Sequence, residues 1–236
     1  MKRAVLYLCL SISLWLPGLG FAQQTGAAPA HAAASASVPS AEQLWSDLMA
    51  GNERFVTGHL KTGDIVGLRR GLAGGQHPNV IVLACSDSRV APELLFDKSL
   101  GDLFVVRSAG NIADAIGIGS LEYAAEHLGS TLLVVLGHEK CGAVSAACAQ
   151  EKMPTVNLQA IVDKISPAVT KAKAHVAADR LLQAAVEENV HQSAQDVIAN
   201  SPVLKHLEEE HKLAVIEAVY KLDTGEVVRL SKPASH

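Results

Sequence analysis

Four stretches of this chain are apolar at nearly every position, and the segments between them carry apolar residues every three or four. Val80-Ile81-Val82-Leu83-Ala84 is short, rich in β-branched residues and uninterrupted by polar ones. That pattern predicts a strand buried on both faces, as in a parallel sheet. The same pattern recurs at 103–106, 131–136 and 213–220. Helical periodicity predicts helices over 117–128, 141–151, 158–174, 181–199 and 202–210. Upstream, Ser40-Ala41-Glu42-Gln43 reads as a capping box. After it Leu44, Trp45, Leu48, Met49, Phe55 and Val56 fall at helical spacing. The glycine-rich stretch 63–75 reads as a loop. Val227-Val228-Arg229-Leu230 follows the turn-like Asp223-Thr224-Gly225 and predicts an antiparallel edge strand. Strands alternating with helices predict an α/β fold, a mainly parallel central sheet flanked by helices, with N-terminal helices at its start.

The first residues change the picture of where the domain begins. Met1-Lys2-Arg3 precedes an apolar run over 4–16, a Pro17-Gly18 break and the small-residue exit Gly20-Phe21-Ala22. That is the order of a secretory signal peptide over residues 1–22, and the run is too short for a membrane span. Residues 23–39 are Ala, Ser, Gln and Pro with few large apolar side chains, the composition of a flexible leader. The remaining residues 40–236 fit one domain. The expected location is therefore outside the cytoplasm, in the periplasm, with no membrane in the mature form. Removing Lys2 and Arg3 takes the formal net charge from −4 to −6, and no basic cluster appears, which argues against nucleic acid as a partner.

Without Cys9, the cysteines are Cys85, Cys141 and Cys148, an odd set that favours a metal or a free thiol over a disulfide framework. In open α/β sheets, function gathers at the carboxyl ends of strands. Cys85 is placed just beyond the first predicted strand, in Cys85-Ser86-Asp87-Ser88-Arg89, and His138 just beyond the third, in His138-Glu139-Lys140-Cys141. Two thiolates and an imidazole suit Zn²⁺, and three ligands leave a fourth position open, as in catalytic zinc sites. Cys148 lies about 10 Å along its helix from Cys141, too far to join them. It reads as a small buried hydrophobe. A redox pairing of Cys85 with Cys141 lacks the Cys-x-x-Cys spacing. Glu139 and Lys140 read as solvated turn residues, and His77, His127, His175, His191, His206 and His211 as residues of loops or charge-rich helical faces.

The first motif together with Gly137-His138-Glu139-Lys140-Cys141-Gly142-Ala143 resembles the paired zinc motifs of the β-class carbonic anhydrases. Asn52, Arg54, Phe55, Pro92-Glu93 and the segment from Gly101 to Asn111 resemble further stretches of that family, so the likeness covers most of residues 40–230. It implies a zinc-dependent interconversion of carbon dioxide and bicarbonate, with Cys85, His138 and Cys141 as zinc ligands and zinc-activated hydroxide as nucleophile. Asp87 and Arg89 are the implied catalytic pair. Asp87 either bonds Arg89 or swings in as a fourth ligand that closes the site, and Gly142 is a candidate substrate contact. Two thiolates donate more charge than imidazoles, so activity is expected to rise on the alkaline side. Val82 stands where one subclass has a tryptophan of an inhibitory bicarbonate site, although Arg107 matches that site's arginine, which leaves such inhibition open. The resemblance also implies a homodimer or homotetramer with the opening helices packed across a partner, while the apolar face of Leu44, Trp45, Leu48 and Phe55 fits equally a cover over its own subunit. Rival readings are a related hydrolase acting on carbonyl sulfide or carbon disulfide, and a non-catalytic zinc-binding protein.

Overall fold

The structure is a computed structural model that describes residues 39–231; the expected signal peptide and nearly all of the expected leader lie outside the described residues. Helix α1 (Ala41–Val56) starts where the sequence marks it. Gln43 N donates to Ser40 Oγ at 3.2 Å and Ser40 N donates to Gln43 Oε1 at 2.7 Å, closing both halves of the capping box. A short helix α2 (Ile65–Gly71) and a 3₁₀ turn (Leu72–Gly74) follow, then β1 (Val80–Cys85), α3 (Pro92–Leu95), β2 (Leu103–Ser108) and a 3₁₀ turn (Ala109–Asn111). Next come α4 (Ala115–Glu122), continued by a π-helical turn (Tyr123–His127), β3 (Leu132–His138), α5 (Gly142–Ala149) and α6 (Val156–Lys173). The chain closes with α7 (Leu181–Ala199), α8 (Pro202–Glu209), β4 (Ala214–Tyr220) and β5 (Val227–Arg229).

The strands lie in the order β2-β1-β3-β4-β5, with every pair parallel except β4 and β5. Alternation along β1 and β3 divides the core in two. Val80, Val82, Ala84, Leu132, Val134 and Leu136 face Leu44, Trp45 and Leu48 of α1. Ile81, Leu83, Leu133 and Val135 face the helices from α4 onward. Leu48 is fully buried, a burial worth about 2 kcal/mol by itself, so the apolar stripe of α1 covers its own sheet. Asn52 secures the other end of that helix: Nδ2 donates to the carbonyls of Leu95 (3.0 Å) and Gly225 (2.9 Å), and Oδ1 accepts from Val227 N (2.9 Å).

Several expectations need correction. The stretch 63–75 is partly helical: Asp64 Oδ1 accepts from Gly67 N at 2.9 Å and starts α2. Since α2 buries none of its residues, it has no apolar periodicity to betray it. Helix α4 starts two residues early because Asp114 caps it through Gly117 N at 2.8 Å. Strand β2, expected to be buried on both faces, is an edge strand and is only partly buried. Cys85 and His138 are the last residues of their strands, inside the ladder rather than beyond it.

His191 is the clearest misplacement. The sequence places it on a charge-rich helical face, yet it is 9% exposed on α7 and its Nδ1 bonds the carboxylate of Glu217, itself 9% exposed, in the otherwise apolar β4. The Glu217 carboxylate raises the histidine's pKa against the opposing effect of burial, with smaller contributions from Glu188 and Glu187. A raised folded-state pKa means that the pair stabilises the fold fully below the unfolded value of about 6.5 and that this part is lost as pH rises through the folded value. Urea unfolding between pH 6 and 9 is therefore expected to show stability falling with pH in the native chain and a flatter dependence in His191→Gln; equal slopes in both would remove the pair from this role.

Candidate metal centre

Three elements bring the candidate ligands together. Cys85 ends β1 and His138 ends β3, and these strands are hydrogen-bonded neighbours with Ala84 opposite Leu136. Beyond His138, Lys140 takes φ +54°, and this left-handed residue turns the chain so that Cys141 becomes the N-cap of α5. Glu139 N still donates to Tyr220 O at 3.0 Å, which keeps the end of β3 locked to β4. Lys140 pairs with Asp223 at 3.0 Å on the surface, in keeping with a turn residue. Gly137 lets α7 approach the strand: a Cβ there would lie 2.5 Å from Val190 Cγ2.

The ligand atoms of Cys85, His138 and Cys141 all lie within 4.8 Å of one another, and all three residues are buried. The two sulfurs are 4.0 Å apart, about twice the length of a disulfide bond, and both cysteines are free. Cys148 is partly buried on α5 and stands outside the cluster. Nδ1 of His138 lies 2.8 Å from the Glu139 carbonyl. A carbonyl only accepts, so the ring proton belongs on Nδ1 and Nε2 carries a free lone pair. That Nε2 is fully buried and has no hydrogen-bond partner among the described residues. A buried nitrogen lone pair is costly to leave unmatched, and a cation between it and the two sulfurs would match it.

The two thiols act on each other. A hydrogen bond from Cys141 lowers Cys85 to about 4 in spite of its burial, with help from His138, the Gly110 amide and the Asp87 backbone. Cys141 is pushed up for the complementary reasons, its bond to Cys85 and its own burial. A divalent cation held between the sulfurs would favour both as thiolates.

Asp87 stands beside the cluster. Its Oδ1 accepts from Arg89 Nε (2.9 Å) and from the Arg89 amide (2.9 Å), and its Oδ2 accepts from Arg89 Nη2 (2.7 Å). The guanidinium holds the carboxyl well below the usual carboxylate range. Oδ2 is 3.9 Å from His138 Nε2, so the carboxylate is turned toward Arg89 while remaining next to the ligand atoms. Gly142 is the exposed first residue of α5, and a Cβ there would meet nothing within 4 Å. Val82 is buried in the core facing α1.

Two elements of the site escaped the sequence reading. Arg107, noted only for its likeness to another site, donates from Nε to the Cys85 carbonyl (3.0 Å) and from Nη2 to the Asp87 carbonyl (2.7 Å). It thereby braces the backbone on either side of Ser86. The Gly110 amide donates to Cys85 Sγ at 3.3 Å. The glycine in Arg107-Ser108-Ala109-Gly110-Asn111, directly after a strand, was the available signal.

Comparison with known proteins extends beyond these contacts. Carbonic anhydrase 2 of Mycobacterium tuberculosis is 38% identical over 190 residues, spanning 78% of this chain and 90% of that protein. Among solved structures, the β-carbonic anhydrase CcaA matches with a TM-score of 0.63 at 28% identity, over 80% of this chain and 94% of the other. The Coccomyxa β-carbonic anhydrase in complex with acetazolamide matches with a TM-score of 0.63 at 31% identity, over 80% and 83% of the two chains. The carbonic anhydrase family model matches residues 80–227, from the first residue of β1 to the first of β5. Since that span contains four whole strands and every residue of the cluster, this chain belongs to the β-class carbonic anhydrases.

Proposed function

We propose that this carbonic anhydrase works with a zinc ion held by Cys85, His138 and Cys141. The observation that carries the reading is the buried Nε2 of His138, without a partner among the described residues, beside the sulfurs of Cys85 at the end of β1 and Cys141 at the start of α5. Two sulfurs and one imidazole nitrogen are the donor set that zinc favours, and three of them leave room for a further ligand. When bound, the metal supplies a Lewis acid that makes water a nucleophile near neutral pH.

The chain's own groups do the rest. Arg89 keeps Asp87 ionised, so its carboxylate can only accept hydrogen bonds. Beside the cluster it would accept a hydrogen bond from the attacking oxygen and so leave a lone pair directed at the carbon of carbon dioxide. Arg107 fixes the backbone that carries Asp87, and Gly142 presents an unobstructed backbone to substrate. Removing metal with a chelator is expected to abolish hydration measured by stopped flow, and one equivalent of zinc per chain to restore it. Full turnover without metal, or stoichiometric zinc without turnover, would overturn the assignment.

We further infer a homodimer or homotetramer. Among the described residues, β2 has a strand neighbour on one side only, which leaves a row of backbone donors and acceptors unpaired. Phe104 of β2 packs against Tyr123, which is 47% exposed, and Ile116 on α4 is 79% exposed. A second copy adding its β2 edge would cover this face, and a monomer in sedimentation equilibrium would count against it. Export to the periplasm rests on the sequence of residues 1–22, and a chain recovered only from the cytoplasm and still beginning at Met1 would contradict it. No helix among the described residues is long and apolar enough to cross a membrane.

A further inference from the structure

Helix α7 buries Ala185, Val186, Val190, Ala194 and Val197, and in their midst Asn189 is fully buried. A primary amide in such surroundings is unfavourable unless it is bonded. Its Nδ2 donates to the Gly110 carbonyl at 2.8 Å and lies 3.5 Å from Asn111 Oδ1, while its own Oδ1 has no partner among the described residues. The side chain is thus committed to one task, on the loop that follows β2.

Elsewhere the loop is held at its ends, where Ser108 Oγ donates to the Ile112 carbonyl and Ser86 N to the Ser108 carbonyl at 3.0 Å. Gly110 (φ +75°) and Asn111 (φ +46°) are successive left-handed residues. Gly110 is wedged between two helices: a Cβ would lie 2.7 Å from Ile165 Cδ1 and 3.2 Å from Ala143 Cβ. Its amide donates to Cys85 Sγ at 3.3 Å. One glycine therefore takes a hydrogen bond from Asn189 on its carbonyl and gives one to Cys85 from its nitrogen. With the carbonyl pinned and the Cα confined by Ile165 and Ala143, the direction of the amide is set.

We propose that Asn189 is a positioning residue of the metal centre, acting through Gly110 to aim an N–H at the sulfur of Cys85. Such a bond draws charge from the thiolate and fixes its direction, so it tunes how Cys85 binds a metal. This rests on Cys85 being a metal ligand. Asn189 neither touches substrate nor belongs to the ligand set, and its effect on turnover follows from the metal alone.

Gln192 provides the control. It is buried on the same helix and its Nε2 donates to the Lys164 carbonyl at 2.7 Å, away from the cluster. Asn189→Leu and Gln192→Leu are to be compared with the native chain in two ways: zinc release to a chelator, and the thiolate-to-metal charge-transfer band of the cobalt-substituted protein. Asn189→Leu is expected to release zinc about tenfold faster and to shift the band, with Gln192→Leu close to native in both. If Asn189→Leu does not fold, Asn189→Ser carries the same test, since its shorter hydroxyl falls short of the Gly110 carbonyl. Zinc release and a band unchanged in the folded variant, or altered equally in Gln192→Leu, would reduce Asn189 to a structural residue. A native protein without any thiolate charge-transfer band would instead sink the assignment of Cys85 as a ligand.

Discussion

Cys141→Ser is expected to remove zinc and carbon dioxide hydration together while leaving the metal-free fold intact or slightly more stable. Serine differs from cysteine by one atom, so the 1%-exposed site suffers no large cavity or overlap. As the N-cap of α5, the new hydroxyl suits the first amides of the helix, a position that serine favours strongly. A buried hydroxyl does not ionise near neutral pH as a thiol can, so it cannot replace the second thiolate. Loss of an outer partner of a metal ligand costs about 10- to 100-fold in affinity or activity, and loss of a ligand should exceed that. The expected result is less than a tenth of an equivalent of zinc per chain, hydration reduced by more than about 100-fold, and a melting temperature below that of the zinc-loaded native chain but equal to or above that of the metal-free native chain. Zinc held at one equivalent by the variant would remove Cys141 from the ligand set, and loss of the fold would mean that Cys141 matters chiefly to packing.

Much of this architecture could be read in the sequence because buried parallel strands leave no polar face. The runs beginning at Val80 and Thr131 have nowhere to be exposed, and the structure places both at the centre of the sheet. Cys85, His138 and Cys141 were legible for a related reason: soft ligands at the carboxyl ends of two such strands must converge if the strands are neighbours. Helix α2 was not legible, since a helix that buries nothing has no periodicity. Nor was the burial of His191, because its partner Glu217 lies 26 positions away in a strand. The roles of Arg107, Gly110 and Asn189 were hidden more deeply. Arg107 and Asn189 bond to carbonyls, and Gly110 bonds through its own amide. Every residue has those backbone groups, so side-chain identity does not reveal which one a guanidinium or an amide will meet.

Arg89→Ala tests the remaining part of the site by separating metal binding from turnover. Arg89 is exposed, and an exposed ion pair contributes little to stability, so the melting temperature should barely change. The consequence for Asp87 is larger. In the native chain its carboxylate is held by two side-chain bonds and the Arg89 amide, with Oδ2 3.9 Å from His138 Nε2. Removing the guanidinium takes away both side-chain bonds and leaves an anion beside a cation site. Arg107 still grips the Asp87 carbonyl, so the backbone stays in place and a side-chain rotation would bring the carboxylate to a metal held by the cluster. A carboxylate in the fourth position excludes water, and displacing a reacting group from its proper geometry costs about 100-fold. The expected outcome is zinc retained at one equivalent, hydration lowered about 100-fold, and partial recovery in the double variant Asp87→Ala/Arg89→Ala, where the blocking group is gone. Native activity in Arg89→Ala would show the pair to be an ordinary surface contact. A loss of activity that the second substitution deepens would show instead that Asp87 still works without its arginine, and that Arg89 acts on the substrate rather than as the restraint that keeps the site open.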